Sequence, residues 1–411
     1  MNFRPVFVAL TIAGALIVAA FAVSSRRPAA VVDQPSAALV RASGKCAECH
    51  SNQQFSIVHE YELSVHAQRH VNCLDCHRVV QGQQGRSHHD FEITTRVTAA
   101  NCRACHESVY QQFLRSRHAA PAWAAVAGDE PFSTEQVAFS EQFHPHSVKR
   151  PPHPLAKLEG KSATQSGCVS CHSIGQPNVD GTIGSCSACH SRHTASVELA
   201  RLPSTCGQCH MGPDHSQLEI YAESKHGVMF SAQRRQLNLA AHPEKLTTRD
   251  MFVPTCATCH MSGLNGLAVT HDPSERLSYN LFAEVTEPRP NHARARAAMQ
   301  EVCSNCHTQP LIDRVYAEAD AVVASTNSKV VAARSIMDEL RRDNLLGKPF
   351  EKPIDFEYFD LWHYYGRTAK HGAFMGGADF VQWHGNYPIL KHAVEIKSLA
   401  EELRRNHGKT P

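Results

Sequence analysis

Hydrophobic positions change character along the chain, and each change predicts a different kind of element. Near the start, an uninterrupted apolar or weakly polar run extends from Val6 to Val23. From Ile312 to about Leu346, apolar side chains such as Ala319 and Val323 recur at helix-like intervals, which predicts a long helix. An aromatic-rich segment follows, from Phe350 to Leu399. With short repeated motifs between these ends, we expect a mainly α protein with extensive loops and long C-terminal helices.

The N-terminal run is predicted to be a signal peptide or an uncleaved membrane anchor. Its eighteen residues exceed the usual apolar core of a cleaved signal and just reach the length of a bilayer span. In favour of cleavage, Ala20, Phe21 and Ala22 form a small-x-small site, and Arg26 and Arg27 would lie outside, against the positive-inside tendency. Both interpretations stay open, and both export the protein.

Eight Cys-x-x-Cys-His pentapeptides use all sixteen cysteines of the chain. This is the signature of covalently attached c-type haem, because two thiols at this spacing reach the two vinyl groups of one porphyrin edge while the next imidazole ligates iron. The motifs are Cys46, Cys49 and His50; Cys73, Cys76 and His77; Cys102, Cys105 and His106; Cys168, Cys171 and His172; Cys186, Cys189 and His190; Cys206, Cys209 and His210; Cys256, Cys259 and His260; and Cys303, Cys306 and His307. The sequence predicts eight haems.

Structural zinc is the alternative use of paired cysteines, but zinc knuckles do not require a histidine after each second cysteine. Because haem would occupy every thiol, no disulfide is expected. Haem attachment to thiols takes place outside the cytoplasm, so we expect the periplasm or the outer face of the cytoplasmic membrane. The net charge of +2 and the lack of a polybasic groove argue against nucleic acid as a partner.

The predicted organisation is a signal or anchor over 1–27, a linker over 28–43, an octahaem domain over 44–310 and a helical region over 311–411 that completes the catalytic domain. Short gaps separate motifs four, five and six, so their haems are expected to pack close together. The Pro- and His-rich run from His144 to Pro154 predicts an exposed loop in which His144, His146 and His153 are solvated.

One phrase recurs among the histidines outside the motifs. YELSVH, FLRSRH and YAESKH end at His66, His118 and His226, each with an aromatic residue and then Ser two positions before His. Its repetition predicts an element that brings an imidazole onto a haem, whereas each histidine alone would be interpreted as solvated. Further candidate iron ligands are His193 in CHSRH, His89 in SHHDF with His88 as an equal alternative, His271 in VTHD and His292 in NHARARAAM.

Candidate acid/base chemistry lies just after the sixth motif. The stretch CGQCHMGPDHSQLEIYAESKHG sets Asp214 beside His215 in a Gly-Pro turn. An acid next to an imidazole is equipped for proton transfer. In the alternative interpretation, Asp214 caps a helix N-terminus and His215 caps a haem.

That stretch, together with CSACHSRH, VTHD and GADFVQWHG, resembles the octahaem hydroxylamine oxidoreductase family, and the likeness extends from about Cys46 to Tyr387. The resemblance implies that the fourth haem is catalytic, lacks a distal protein ligand and is held by Cys168, Cys171 and His172. It also implies that Asp214 and His215 form the distal acid/base pair, that the other seven haems are bis-histidine, and that the protein is a homotrimer with C-terminal helices between subunits.

The resemblance also bears on the direction of the reaction. Members that oxidise hydroxylamine or hydrazine carry a tyrosine of a neighbouring subunit joined to the catalytic porphyrin, and the corresponding position here is Phe374. We therefore expect reduction of nitrite or hydroxylamine to ammonium, with electrons from a membrane or periplasmic cytochrome c. Because Tyr364 and Tyr365 are nearby, oxidation stays an alternative, as does a non-catalytic electron conduit. A tetrathionate reductase would use a lysine ligand, and the sequence has no Cys-x-x-Cys-Lys motif.

Overall fold

The computed structural model describes residues 44–408. The expected signal or anchor and the linker therefore lie outside the described residues. Within residues 44–408, no helix is both long and apolar enough to cross a membrane.

Helices account for most of the described chain, and the only sheet in it is one two-stranded hairpin. In the first half the α-helices are α1 Lys45–Gln53, α2 Phe55–Glu62, α3 Val65–Gln68, α4 Cys73–His77, α5 Ala99–Leu114, α6 Ala120–Ala127, α7 Thr134–Phe143, α8 Pro154–Glu159, α9 Lys161–Ser166, α10 Cys168–His172, α11 Val197–Arg201 and α12 Pro203–Gly207. In the second half they are α13 Gln217–Glu223, α14 Lys225–Gln233, α15 Cys256–His260, α16 His292–Ser304, α17 Gln309–Arg342, α18 Pro353–Phe359, α19 Arg367–Met375, α20 Ala378–Val381 and α21 Tyr387–His407. Short 3₁₀ turns lie at Ser173–Gly175, Cys186–Ala188, Arg234–Gln236, Pro243–Lys245 and Leu264–Gly266, and π-helical turns at Asp360–Gly366 and Gln382–Asn386. The hairpin pairs β1 Arg86–His88 with antiparallel β2 Phe91–Ile93.

Three of the motif helices are only as long as the motif itself. Helices α4, α10 and α15 each begin at the first cysteine of a motif and end at its histidine. At α4 the start is fixed by a capping box, in which Asn72 accepts from the Asp75 N–H and the Asp75 carboxylate accepts from the Asn72 N–H. One helical turn thus places both thiols and the imidazole of a motif.

The C-terminal region forms the largest apolar core. Helix α17 is 34 residues long, and its buried residues alternate at spacings of three and four from Ala319 to Leu340. This stripe packs against α19 and α21, with Leu361 and Ile389 completely buried between them. The predicted mainly α fold with extensive loops and long C-terminal helices is confirmed.

The expectation of a solvated histidine loop after the third motif was wrong for His144. Its side chain is buried, with Nε2 bonded to the Arg115 carbonyl oxygen at 2.8 Å. Ser147 and Val148 fold back beside it, and Val148 is fully buried. His153 is half-buried, and only His146 is exposed as predicted. The prolines fix the loop's path, but that path runs over the helices of the neighbouring core instead of into solvent.

Candidate active site

One continuous cavity of about 3730 Å³ runs through the motif-bearing region. All eight motif histidines and every motif cysteine except Cys306 line it. Pockets for one small ligand are usually about 300–1,000 Å³, so this cavity has room for several large groups. In the described part of the chain, no three His, Cys, Asp or Glu side chains converge to hold a bare metal ion. The arrangement therefore fits porphyrins and does not form the tetrahedral zinc sites considered above.

Motif cysteines approach one another in a defined order. Thiols of motifs one and two interact through Cys46 and Cys73, and the second motif adjoins the third through Cys76 and Cys102. The later contacts are Cys102 with Cys186, Cys189 with Cys206, Cys171 with Cys209, Cys206 with Cys256 and Cys259 with Cys303. The motifs thus follow the order one, two, three, five, six, seven, eight, with motif four beside motif six. The expected proximity of motifs four, five and six is present.

Five motif histidines have Nδ1 held by a nearby oxygen. The pairs are His50 with Gln54 Oε1 (2.5 Å), His77 with the Thr94 carbonyl (2.8 Å), His172 with the Ala122 carbonyl (2.5 Å), His210 with Gln217 Oε1 (3.3 Å) and His260 with the Pro273 carbonyl (3.3 Å). An acceptor at Nδ1 fixes the tautomer and leaves Nε2 for a metal, as is usual for ligating histidines. The residues present therefore fit haem iron.

The recurring aromatic-Ser-x-His phrase is built around a buried serine. Ser64 and Ser224 cap the helices that carry His66 and His226, and each hydroxyl also donates to the carbonyl of the phrase's tyrosine. Ser116 instead accepts directly from the His118 N–H, in a turn. The phrase thus fixes where its imidazole points, through local hydrogen bonds that the sequence itself encodes.

Opposing imidazoles face each other at five motifs. Ring centroids lie 6.0 Å apart for His50 and His88, 6.2 Å for His106 and His66, 6.4 Å for His190 and His271, 5.8 Å for His210 and His118, and 5.8 Å for His307 and His226. For His118 and His210 the two Nε2 atoms are 3.5 Å apart. Four of the seven expected capping histidines thus face a motif histidine.

His88, and not the expected His89, faces the first motif. His88 ends β1 opposite Phe91, and the two-residue turn that follows has positive φ at both His89 (48°) and Asp90 (69°). Such a turn reverses the chain tightly and leaves its own side chains outside the sheet. His89 is accordingly exposed. The sequence SHHDF offered no signal to choose between the two.

The last two expected caps, His193 and His292, have polar partners at Nδ1. His193 lines the cavity, with Nδ1 3.4 Å from the Glu60 carboxylate. His292 begins α16, with Nδ1 2.9 Å from the Ser278 carbonyl and its ring 5.0 Å from that of Tyr279. His292 does not line the cavity, and neither ring is paired with a motif histidine in the way the five pairs are, so ligation of iron by His193 and His292 stays a prediction.

Motif four is also faced by an imidazole, but this imidazole has a carboxylate partner. The ring of His215 is 6.4 Å from that of His172 and perpendicular to it, and also 6.1 Å from that of His210. Its Nδ1 lies 2.6 Å from the Asp214 carboxylate. Burial acts to raise the pKa of Asp214, but the hydrogen bond from His215 and the charges of His215, His363 and Arg367 outweigh it and lower that pKa to about 2. Asp214 is therefore ionised and holds the Nδ1 proton of His215.

Two residues of the aromatic-rich segment complete this site. His363 Nδ1 and Arg367 Nη1 lie 3.9 and 3.8 Å from the same Asp214 oxygen. They are four apart across the π-helical turn Asp360–Gly366, a kind of turn that is frequent at functional sites. Burial and the Arg367 charge lower the pKa of His363 to about 2, so this imidazole is neutral.

Neither His363 nor Arg367 was predicted from the sequence. Their segment, LWHYYGR, is recognisable in the sequence only as rich in aromatic residues. It lies about 150 positions from Asp214, so the sequence alone does not indicate that the two are in contact. Phe282 was missed as well. It packs 5.0 Å from the ring of His215 and 4.9 Å from that of His371, and forms the apolar side of the site.

Of the tyrosine positions considered above, Phe374 lies away from Asp214. Its ring packs 5.8 Å from Tyr279 and 5.9 Å from Tyr316 of the same chain. Tyr364 is beside the site, 5.3 Å from the His363 ring, whereas Tyr365 stacks on His392 at 5.0 Å.

Histidines held through Nδ1, imidazoles facing across one cavity and a thiol pair before each motif histidine define a multihaem c-type cytochrome. Residues 69–353, more than half of the chain, match the family described as seven times multi-haem cytochrome CxxCH, and the chain belongs to that family.

One curated protein is similar to this chain in sequence. The chain is 24% identical over 428 residues to a probable nitrite reductase-hydroxylamine oxidoreductase fusion protein of Kuenenia stuttgartiensis, covering 89% of this chain and 45% of that relative. It thus spans less than half the length of the curated relative.

Two solved structures share the fold. A hypothetical multiheme protein superposes with a TM-score of 0.76 at 20% identity, covering 92% of this chain and 98% of that one. The Kuenenia stuttgartiensis reducing HAO-like protein complex Kustc0457/Kustc0458 gives a TM-score of 0.66 at 21% identity, covering 88% of this chain and 85% of that one. The expected relationship to HAO-like multihaem cytochromes is confirmed at the level of family and fold.

Proposed function

We propose that this protein carries eight c-type haems and reduces nitrite, hydroxylamine or both to ammonium at the haem of motif four. The observation that carries the proposal is the Asp214–His215 pair facing His172, with His215 Nδ1 2.6 Å from the carboxylate. The other paired motifs meet an imidazole without a carboxylate of this kind. The names of the Kuenenia relatives support the same chemistry.

The site residues would supply the protons of the reaction. Haem, when bound, would supply electrons and an iron position open to the substrate nitrogen. Because Asp214 holds Nδ1, His215 exchanges protons at Nε2, the nitrogen left to face the cavity. Reduction of nitrite to ammonium consumes eight protons with six electrons, so an imidazole that is reprotonated between steps suits the reaction. Phe282 packs against the His215 ring, and Phe359 stacks on the ring of His363.

Phe374 supports the reductive direction, because a phenylalanine has no hydroxyl with which to form the porphyrin cross-link of the oxidative members. A tyrosine-linked oligomer that survives denaturation, detected by mass spectrometry, would instead support hydroxylamine or hydrazine oxidation through Tyr364.

For the cellular setting, we place the protein in the periplasm or on the outer face of the cytoplasmic membrane, with a membrane or periplasmic cytochrome c as electron donor. The N-terminal apolar run and the extracytoplasmic attachment of haem support this placement. We further propose a homotrimer in which α21 contributes to the contact between subunits. An exposed apolar stripe on that helix supports this proposal.

Electron paramagnetic resonance of the oxidised protein, together with viologen-driven turnover of nitrite, hydroxylamine and tetrathionate, tests the function. We expect one high-spin ferric haem and turnover of the nitrogen compounds. Absence of any high-spin signal, with all irons six-coordinate, would instead identify an electron conduit. Turnover of tetrathionate alone would overturn the substrate.

A further inference from the structure

Arg367 is held rigidly in the wall of the site beside Asp214. Its Nε and Nη2 donate to the Phe282 carbonyl at 3.2 and 2.9 Å. Its guanidinium carbon lies 5.2 Å from the ring centroids of both Phe282 and Trp362. Only 11% of the side chain is exposed. The guanidinium therefore has one orientation, fixed by a carbonyl and two rings.

This orientation leaves donors of Arg367 unused. A guanidinium has five N–H groups, and the Phe282 carbonyl uses the one on Nε and one of the two on Nη2. Nη1 lies 3.8 Å from Asp214 Oδ2, which is beyond hydrogen-bond length. That carboxylate is already bonded to His215 at 2.6 Å. The Nη1 donors thus remain available on the cavity side of the residue.

The charge of Arg367 is only partly compensated. Burial and the neighbouring Arg150 lower the pKa of Arg367 to about 10, which leaves it charged at neutral pH. Arg150 lines the same cavity and adds a second positive charge, while His363 is neutral. The nearby negative charges are Asp214, which is shared with His215, and Glu159, whose carboxylate is 3.9 Å from the Cys168 sulfur. A buried guanidinium with free donors favours an oxyanion, because charge-assisted hydrogen bonds are strongest where water is excluded.

We propose that Arg367 binds an oxygen of the substrate and makes the site selective for a small oxyanion, nitrite, over uncharged nitrogen compounds. This inference rests on the proposed function, since it places the substrate between Arg367 and His172. Arg367 would be a binding residue, with His215 remaining the proton donor. A propionate carboxylate of the fourth haem could accept the same hydrogen bonds from Arg367. The experiment must therefore distinguish nitrite from the propionate.

The test is optical titration of the ferric, haem-loaded full-length protein with nitrite and with nitric oxide, an uncharged ligand. For Arg367→Gln we expect the Kd for nitrite to rise by about tenfold to a hundredfold, because a charge-assisted hydrogen bond is lost, and the Kd for nitric oxide to stay within about twofold. Arg367→Lys keeps the charge but not the planar fork, so a smaller, about threefold to tenfold, loss of nitrite affinity is expected. If Arg367→Gln fails to load haem, the nitrite affinity of Arg367→Lys tests the proposal in its place.

Arg201→Gln is the matched control. Arg201 is equally buried and likewise donates to backbone carbonyls, those of Leu239 and Ala241, but does not line the cavity. It should leave both affinities unchanged. An unchanged nitrite-to-nitric oxide ratio in Arg367→Gln, with a shifted midpoint potential of the high-spin haem, would assign Arg367 to a propionate and overturn the proposal. If the unaltered protein binds neither ligand, the proposed function itself fails.

Discussion

Asp214 determines how His215 can act, because its carboxylate fixes one imidazole nitrogen and leaves the other for proton exchange. In Asp214→Asn the neutral amide no longer stabilises a protonated imidazole, and its NH2 group can donate to Nδ1 and favour the other tautomer. We expect nitrite turnover with reduced viologen to fall by about a hundredfold or more, with haem content unchanged.

The chain offers a matched control for this variant. Asp379 forms a second Asp–His pair, 2.7 Å from His384 Nδ1, on the exposed surface. Asp379→Asn should retain full activity, and equal losses in the two variants would mean that the effect is not specific to the site.

Lys370 is a second residue whose surroundings change its chemistry, here the pKa of its amine. Its side chain is completely buried, with Nζ donating to Thr286 Oγ1 at 2.6 Å. Burial, aided by the Arg367 charge, lowers its pKa from 10.5 to about 7. Between these values the unfolded chain binds the proton and the folded chain does not, so the free energy of unfolding should rise with pH from about 7 to 10.5 and be lost as pH falls through that window.

Lys370→Met should remove this pH dependence and stabilise the protein at pH 7 by about 1–3 kcal/mol, since a buried amine is replaced by an apolar side chain of similar length. Guanidinium unfolding at pH 7 and pH 9 measures both effects. Lys329→Met is the control, because Lys329 reaches Ser325 and Asn386 at the protein surface. A methionine variant with the pH slope of the unaltered protein would disprove this account of Lys370.

Among single residues, the sequence predicted only those whose role depends on adjacent positions in the chain. Asp214 and His215 are adjacent in the chain, and a Gly-Pro turn marked them. His363, Arg367 and Lys370 acquire their character from burial against segments 80 to 150 positions away, and nothing in LWHYYGRTAK separates them from surface residues.

Among the elements, the β1–β2 hairpin provides a direct test of register. Side chains alternate along a strand, so His88 and His89 cannot both face the first motif. We expect His88→Ala to produce a new high-spin ferric signal in electron paramagnetic resonance, because one iron loses its sixth ligand, while His89→Ala leaves the spectrum unchanged. The reverse result would show that the hairpin shifts by one residue when haem is bound.

Predictions about helices were correct where an apolar periodicity continued for many turns or where one phrase was repeated. Helix α17 begins and ends within a few residues of the predicted limits because its apolar period continues for many turns. The aromatic-Ser-x-His phrase was informative because serine caps its own turn. The segment after Phe350 gave no such period, since two π-helical turns interrupt it and shift the buried face.

Across the whole molecule, the contacts between motif cysteines define a path with one branch. Motif six lies beside motifs four, five and seven through Cys209 and Cys206, so we expect the haem of motif six to be the neighbour of the haem of motif four. The gap lengths in the sequence predicted that motifs four, five and six lie together. They did not predict that motif four is a side branch, because that depends on how the long segment between motifs three and four folds back.

The assembly prediction also belongs to the whole molecule. Trp383, Tyr387, Leu390 and Val394 are 61%, 55%, 54% and 67% exposed, and their spacing of four, three and four puts them on one face. The opposite face of α21 packs into the core through Ile389 and Ile396. A contiguous exposed apolar stripe of this kind is typical of a protein interface. We therefore expect the double substitution Leu390→Glu with Val394→Glu to convert the proposed trimer to monomers.

Light scattering during size-exclusion chromatography measures the mass, and absorbance confirms that haem content is kept. Lys391→Glu makes the same change of two charge units on the same helix without removing an apolar side chain, so it should remain trimeric. If the double variant is also trimeric, α21 is not the contact. If the unaltered protein is already monomeric, the homotrimer proposal is wrong, and the stripe must meet some other surface.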